Sequence, residues 1–167
     1  CSFFFSILQD AAGCLWSDKW QDGYHFDERK SGKYVTKNFN VKGGETVVTP
    51  AGTFENCLRV SFDFQAWGYF SGRSEYLFAD GVGIVRFEHP YGEDKCAVWE
   101  LTEYKGTGKG FFPTDDGLFR RYEADALSDG WHGSVEYTFD EDETGTVMFK
   151  NALGNQDRAD YEKMKKK

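Results

Sequence analysis

Three aromatic residues in a short glycine-flanked run, Trp67-Gly68-Tyr69-Phe70, are the residues of this chain whose type and spacing best suit binding. Rings offered by a loop stack on sugars or apolar molecules, because a rigid ring gains much contact area for little loss of rotamer freedom. The competing role is to cap the open end of an apolar core. With five Trp, nine Tyr and sixteen Phe in the chain, many rings need such burial. Trp67, Tyr69 and Phe70 are therefore the candidate ligand-binding residues, with core capping as their alternative.

Catalytic chemistry is harder to assemble from this sequence. A hydrolase needs a nucleophile beside a histidine and an orienting acid, or two carboxylates across a cleft. His25, His89 and His132 are scattered and lie in no nucleophile motif. Convergence of Cys57 with His89 or His132 would have to be made by the fold, and structural roles fit these residues better. No catalytic residue is assigned, and the expected protein is not an enzyme.

Metal and cofactor motifs are equally incomplete. Asp140-Glu-Asp-Glu-Thr-Gly145 begins like a calcium loop, but Thr144 stands at the third ligand position and Asn151 where a bidentate Glu belongs, so it reads as a hairpin turn. Cys1, Cys14, Cys57 and Cys96 form no C-x-x-C pair. A Cys57–Cys96 disulfide and two partly buried thiols both remain open. Gly106-Thr-Gly-Lys-Gly110 lacks the spacing of a phosphate loop. The expectation is no metal and no cofactor.

The elements that must position these residues are strands. Between Thr53 and Ala66 the even positions Phe54, Leu58, Val60, Phe62, Phe64 and Ala66 are apolar, and the odd ones Glu55, Arg59, Ser61, Asp63 and Gln65 are polar. Such alternation puts one face on a core and the other in water, which is the habit of antiparallel sheets. Gly23 to Asn40 reads as a hairpin about Lys30-Ser-Gly-Lys33, Gly43-Gly44 and Pro50-Ala-Gly52 as turns, and Asp80-Gly81 as the strongest two-residue turn in the chain. Further strands are expected at Glu75–Ala79, Ile84–Glu88, Cys96–Tyr104, Leu118–Ala124, Trp131–Phe139 and Val147–Lys150. Gly106, Gly108 and Gly110 read as a flexible joint, a possible sub-unit boundary near 105–110 within one compact body over 1–167. Asn155 to Lys167 is rich in helix formers and predicts a short C-terminal helix.

Length and charge narrow the partners. A chain of 167 residues can enclose a real core. With 28 acidic against 20 basic residues, it is poorly suited to a phosphate backbone or an anionic membrane. No apolar run is long enough to span a bilayer, so no transmembrane segment is expected.

The strings T-P-A-G-T-F-E-N-C-L-R-V (Thr49 to Val60), Y-L-F-A-D-G-V-G-I-V-R-F (Tyr76 to Phe87) and W-E-L-T-E-Y (Trp99 to Tyr104) resemble a group of uncharacterised bacterial cell-envelope and lipoprotein-associated β-rich domains. The resemblance covers about Thr46 to Tyr104 and implies a curved β module without supplying a catalytic residue. F-F-P-T-D-D-G-L-F-R-R-Y-E, from Phe111 to Glu123, looks like the opening of a second such unit.

Together these readings predict a mostly β fold, an antiparallel curved sheet or β-sandwich, with a closed lipocalin-like barrel as the alternative. The expected function is a non-enzymatic, extracytoplasmic bacterial binding or structural module. Its partner would be a small molecule, a glycan or a protein, and not a nucleic acid. A carrier of a small apolar ligand is the second reading and a hydrolase the third, although Gly13-Cys-Leu-Trp16 is not the G-x-W signature of lipocalins.

Overall fold

A computed structural model of the chain describes residues 21–31, 34–66, 70–92, 95–111, 113, 115, 117–125, 132–139, 144–150 and 156–162. Ten strands follow one another: β1 (His25–Ser31), β2 (Tyr34–Thr49), β3 (Gly52–Ala66), β4 (Phe70–Ala79), β5 (Gly83–Gly92), β6 (Lys95–Lys105), β7 (Phe119–Asp125), β8 (His132–Phe139), β9 (Thr144–Lys150) and β10 (Gln156–Glu162). Each pairs antiparallel with the next, so spatial order equals chain order. Among the described residues β1 and β10 are the two edges. The curved antiparallel sheet is thus the architecture, and among the described residues there is neither the second sheet that a sandwich needs nor the pairing of β1 with β10 that would close a barrel.

The predicted terminal helix is corrected by β10. Gln156 to Glu162 pairs without a break against Lys150 to Thr144 of β9. A free strand edge offers a row of backbone donors and acceptors, and that pairing outweighs the helix propensity of the segment. The predicted turns at Pro50-Ala51 and Asp80-Gly81 do form; Gly81, at φ 79°, takes the left-handed conformation that the second turn requires. Both edge strands are dense in charge, His25-Phe-Asp-Glu-Arg-Lys-Ser31 and Gln156-Asp-Arg-Ala-Asp-Tyr-Glu162, a composition that discourages edge-to-edge aggregation.

Burial follows the predicted parity of β3 only in part. Leu58, Val60 and Phe64 are buried, and Phe62 is half-buried. Ser61 is buried too, and Cys57 is fully enclosed despite its odd position. The register explains the second exception: Phe54 pairs with Val47 and Cys57 with Glu45, so β3 holds one extra residue there. Asn56 absorbs it at φ 55°. A matching irregularity in β2 falls at Gly43-Gly44, so the turn expected there is a bulge inside one long strand.

Curvature brings distant strands together. The Ala51 amide donates to the Leu101 carbonyl at 3.1 Å, and the Phe54 ring lies 5.8 Å from that of Tyr104. The β2–β3 turn therefore folds inward as far as β6. The glycine-rich connection after β6, expected to be a loose joint, is docked instead. The Gly81 amide donates to the Gly110 carbonyl and the Gly108 amide to the Gly81 carbonyl. A Cβ on Gly108 would lie 2.0 Å from Asp115 Oδ2 and 2.6 Å from Pro113 Cβ, so only glycine fits.

Candidate functional site

Of the aromatic run singled out from sequence, Trp67 and Tyr69 lie outside the described residues. Phe70 opens β4 with its backbone opposite Ala66. The Asp140–Glu143 stretch also lies outside them, while Thr144 and Gly145 begin β9. Among the described residues no group of His, Cys, Asp and Glu is placed to hold a metal ion.

What the fold does assemble is a row of rings across six adjacent strands. Phe26 of β1 stacks on Phe39 of β2 at 4.6 Å and 5°, and Phe39 on Phe62 of β3 at 5.8 Å. Phe62 stacks on Tyr76 of β4 at 5.9 Å, Tyr76 on Phe87 of β5 at 5.8 Å, and Phe87 on Trp99 of β6 at 5.8 Å and 8°. Neighbouring strands lie about 4.8 Å apart, so in-phase rings on successive strands meet close to stacking distance. Tyr122 of β7 closes the row edge-on against Phe87, its hydroxyl donating to the Ile84 carbonyl at 2.7 Å.

Exposure along the row is uneven. Phe39, Tyr76, Phe87 and Tyr122 are buried and Trp99 is 8% exposed, while Phe62 and the terminal ring Phe26 are half-buried. At the β1 end the Arg29 guanidinium lies 4.3 Å over the Phe26 ring and donates to the Tyr24 hydroxyl at 2.7 Å. Tyr24 meets Phe26 and Phe39 edge-on. This half-buried end combines flat apolar surface with a cation and a hydroxyl. Those are groups that grip a ring or a sugar face.

Ion pairs form a second row. Arg59 of β3 bridges Glu45 of β2 and Glu75 of β4, and Arg121 of β7 bridges Glu103 of β6 at 2.5 Å and Glu136 of β8 at 2.6 Å. Hydrogen bonding to Arg59 holds the Glu45 carboxyl below its ordinary pKa, and the bond to Glu136 raises that of Arg121. These acids and bases are committed to one another across strands.

Arg120, the neighbour of Arg121, points the other way and is almost wholly buried. Its Nε donates to the Val82 carbonyl at 2.8 Å, and its Nη1 to the carbonyls of Lys105 and Phe119. Its Nη2 is buried without a partner among the described residues. The guanidinium therefore joins the β4–β5 turn to the ends of β6 and β7. Cys57 is a free thiol, so it forms no disulfide with Cys96; its Sγ donates to the Phe54 carbonyl, and burial pushes its pKa up, away from nucleophilic behaviour.

Sequence reading missed the ring row because stacking partners depend on register across strands far apart in the chain. The usable signal was the apolar phase of each predicted strand, with Phe62, Tyr76, Phe87 and Trp99 at core positions. Among the described residues no helix is long and apolar enough to cross a membrane. Comparison of the chain with protein-family models, curated proteins and solved structures found no match.

Proposed function

We propose that this protein is a non-enzymatic binding module that receives a flat or apolar group at the β1 end of its aromatic row. The observation that carries the reading is that the row ends on a half-buried ring, Phe26, backed by buried Phe39, whereas its other end closes on buried Tyr122. Phe39 and the Arg29 guanidinium hold the Phe26 ring in place beforehand, so a group that meets its edge beside Arg29 loses little to ordering the protein. Arg29 and Tyr24 supply polar contacts beside that surface. The extracytoplasmic setting is proposed on the resemblance of Thr46 to Tyr104 to cell-envelope domains, and the proposed partner is a small molecule, a glycan or a protein. The second reading, a carrier of a small apolar ligand, finds no closed barrel among the described strands to support it.

The test is a fluorescence titration of the full chain with anilinonaphthalene sulfonate and, separately, with a soluble glucan oligosaccharide. Saturable binding of either, weakened at least tenfold by Phe26→Ala and unchanged by Trp67→Ala/Tyr69→Ala/Phe70→Ala, supports the β1 end. The reverse pattern assigns binding to the 67–70 segment. Loss in neither variant, or no binding of either probe, overturns the proposal.

A further inference from the structure

We propose that His25, held between Asp27 and Asn40, is a pH-sensitive latch for the edge strand β1. Its Nε2 lies 2.7 Å from Asp27 Oδ1, and its Nδ1 lies 2.9 Å from Asn40 Oδ1. Asn40 is fixed in orientation, since its Nδ2 donates to the Asn38 carbonyl at 2.8 Å. Turning the amide over would set two oxygens against each other. Both ring nitrogens therefore face atoms that only accept, and a neutral imidazole has one N–H to give. Only the imidazolium makes both bonds.

The acceptor on β2 belongs to a longer chain of contacts. Asn38 stands at φ 52° where β2 bulges opposite β3, and its Nδ2 donates to Asp63 Oδ2 at 3.0 Å. Arg73 of β4 donates to the other oxygen of Asp63 at 3.1 Å. The groups facing His25 are thus Asp27 on its own strand, and Asn40 with the backbone of Phe39 on β2. All of them favour the protonated ring, and its pKa is raised above the ordinary 6.5, first by the bond to Asp27 and next by that to Asn40. A raised folded-state pKa stabilises the paired state fully below the ordinary value, and that contribution is lost as pH rises through the raised one. Among the described strands β1 is an edge, paired with β2 alone, so its pairing rests on the contacts it makes there.

The latch is tested by NMR on the full chain, following the His25 ring protons through pH and assigning them with His25→Asn. The expected midpoint lies above 6.5, and Asp27→Asn and Asn40→Ala each lower it. A midpoint at or below 6.5, or one indifferent to Asn40→Ala, overturns the latch. Protection factors of the β1 amides give the second readout. Opening should increase across the His25 titration, by up to about tenfold for each unit of raised pKa, and lose that step in His25→Asn. An equal step in the variant would contradict it.

Discussion

The ring row and the ion pairs share strands β2–β4, β6 and β7, yet they hold the sheet by unlike means. Phe39, Tyr76 and Phe87 are removed from water and locked by their neighbours, whereas Arg59 and Arg121 keep about a third of their side-chain surface exposed. Burying a ring gains transfer free energy and stacking together. A partly solvated ion pair gains little, because water and salt compete for both charges. The comparison teaches that stability is concentrated in the rings, while the charges mainly keep the other side soluble and the register defined.

The largest expected effect sharpens that contrast. Phe87 touches Tyr76, Trp99 and Tyr122, so Phe87→Ala should destabilise by about 3–5 kcal/mol in urea unfolding, from lost transfer energy and a residual cavity. A loss below about 1 kcal/mol would break the claim that the row is core. Arg120→Ala comes next. It strips three carbonyls of their donor, and a cost of about 3 kcal/mol is expected, each buried orphan being worth roughly 1–3. Arg121→Gln should cost at most about 1 kcal/mol, and the difference from the parent should shrink in high salt. An Arg121 effect as large as that of Phe87 would erase the distinction between the rows.

The smallest effect is a pH dependence. Glu45 is held below its ordinary pKa by Arg59, so its contribution is present above the ordinary 4.5 and is lost as pH falls through the depressed value. Arg59→Leu should flatten that acid-side slope slightly in melting curves recorded between pH 5 and 3. An unchanged slope would show that the pair carries no linkage.

Much of the sheet was legible because period-2 alternation and turn chemistry are local. Leu58, Val60 and Phe64 needed no knowledge of other strands. Cys57 and Ser61 were not legible, since the former depends on a bulge set by pairing with β2. The row itself failed for the same reason. Counting outward from the Ala79–Gly83 pair without a break places Phe87 opposite Glu75; the irregularity between Leu77 and Phe78 moves it onto Tyr76. One extra residue decides whether two rings meet. β10 was misread because Gln156 to Glu162 carries no strand signal of its own and is set by the edge it completes. Arg120 was invisible because its carbonyl partners come from the β4–β5 turn and the end of β6.

Hydroxyl-radical footprinting read by mass spectrometry tests the contrast between the half-buried terminal ring and the buried rings most directly, because it reports the solvent access of each ring in the intact protein. Oxidation of Phe26 and Phe62 should be readily detected, while Phe87 and Tyr122 stay protected until the chain unfolds. Equal oxidation along the row, or protection of Phe26 as complete as that of Phe87, would contradict the account.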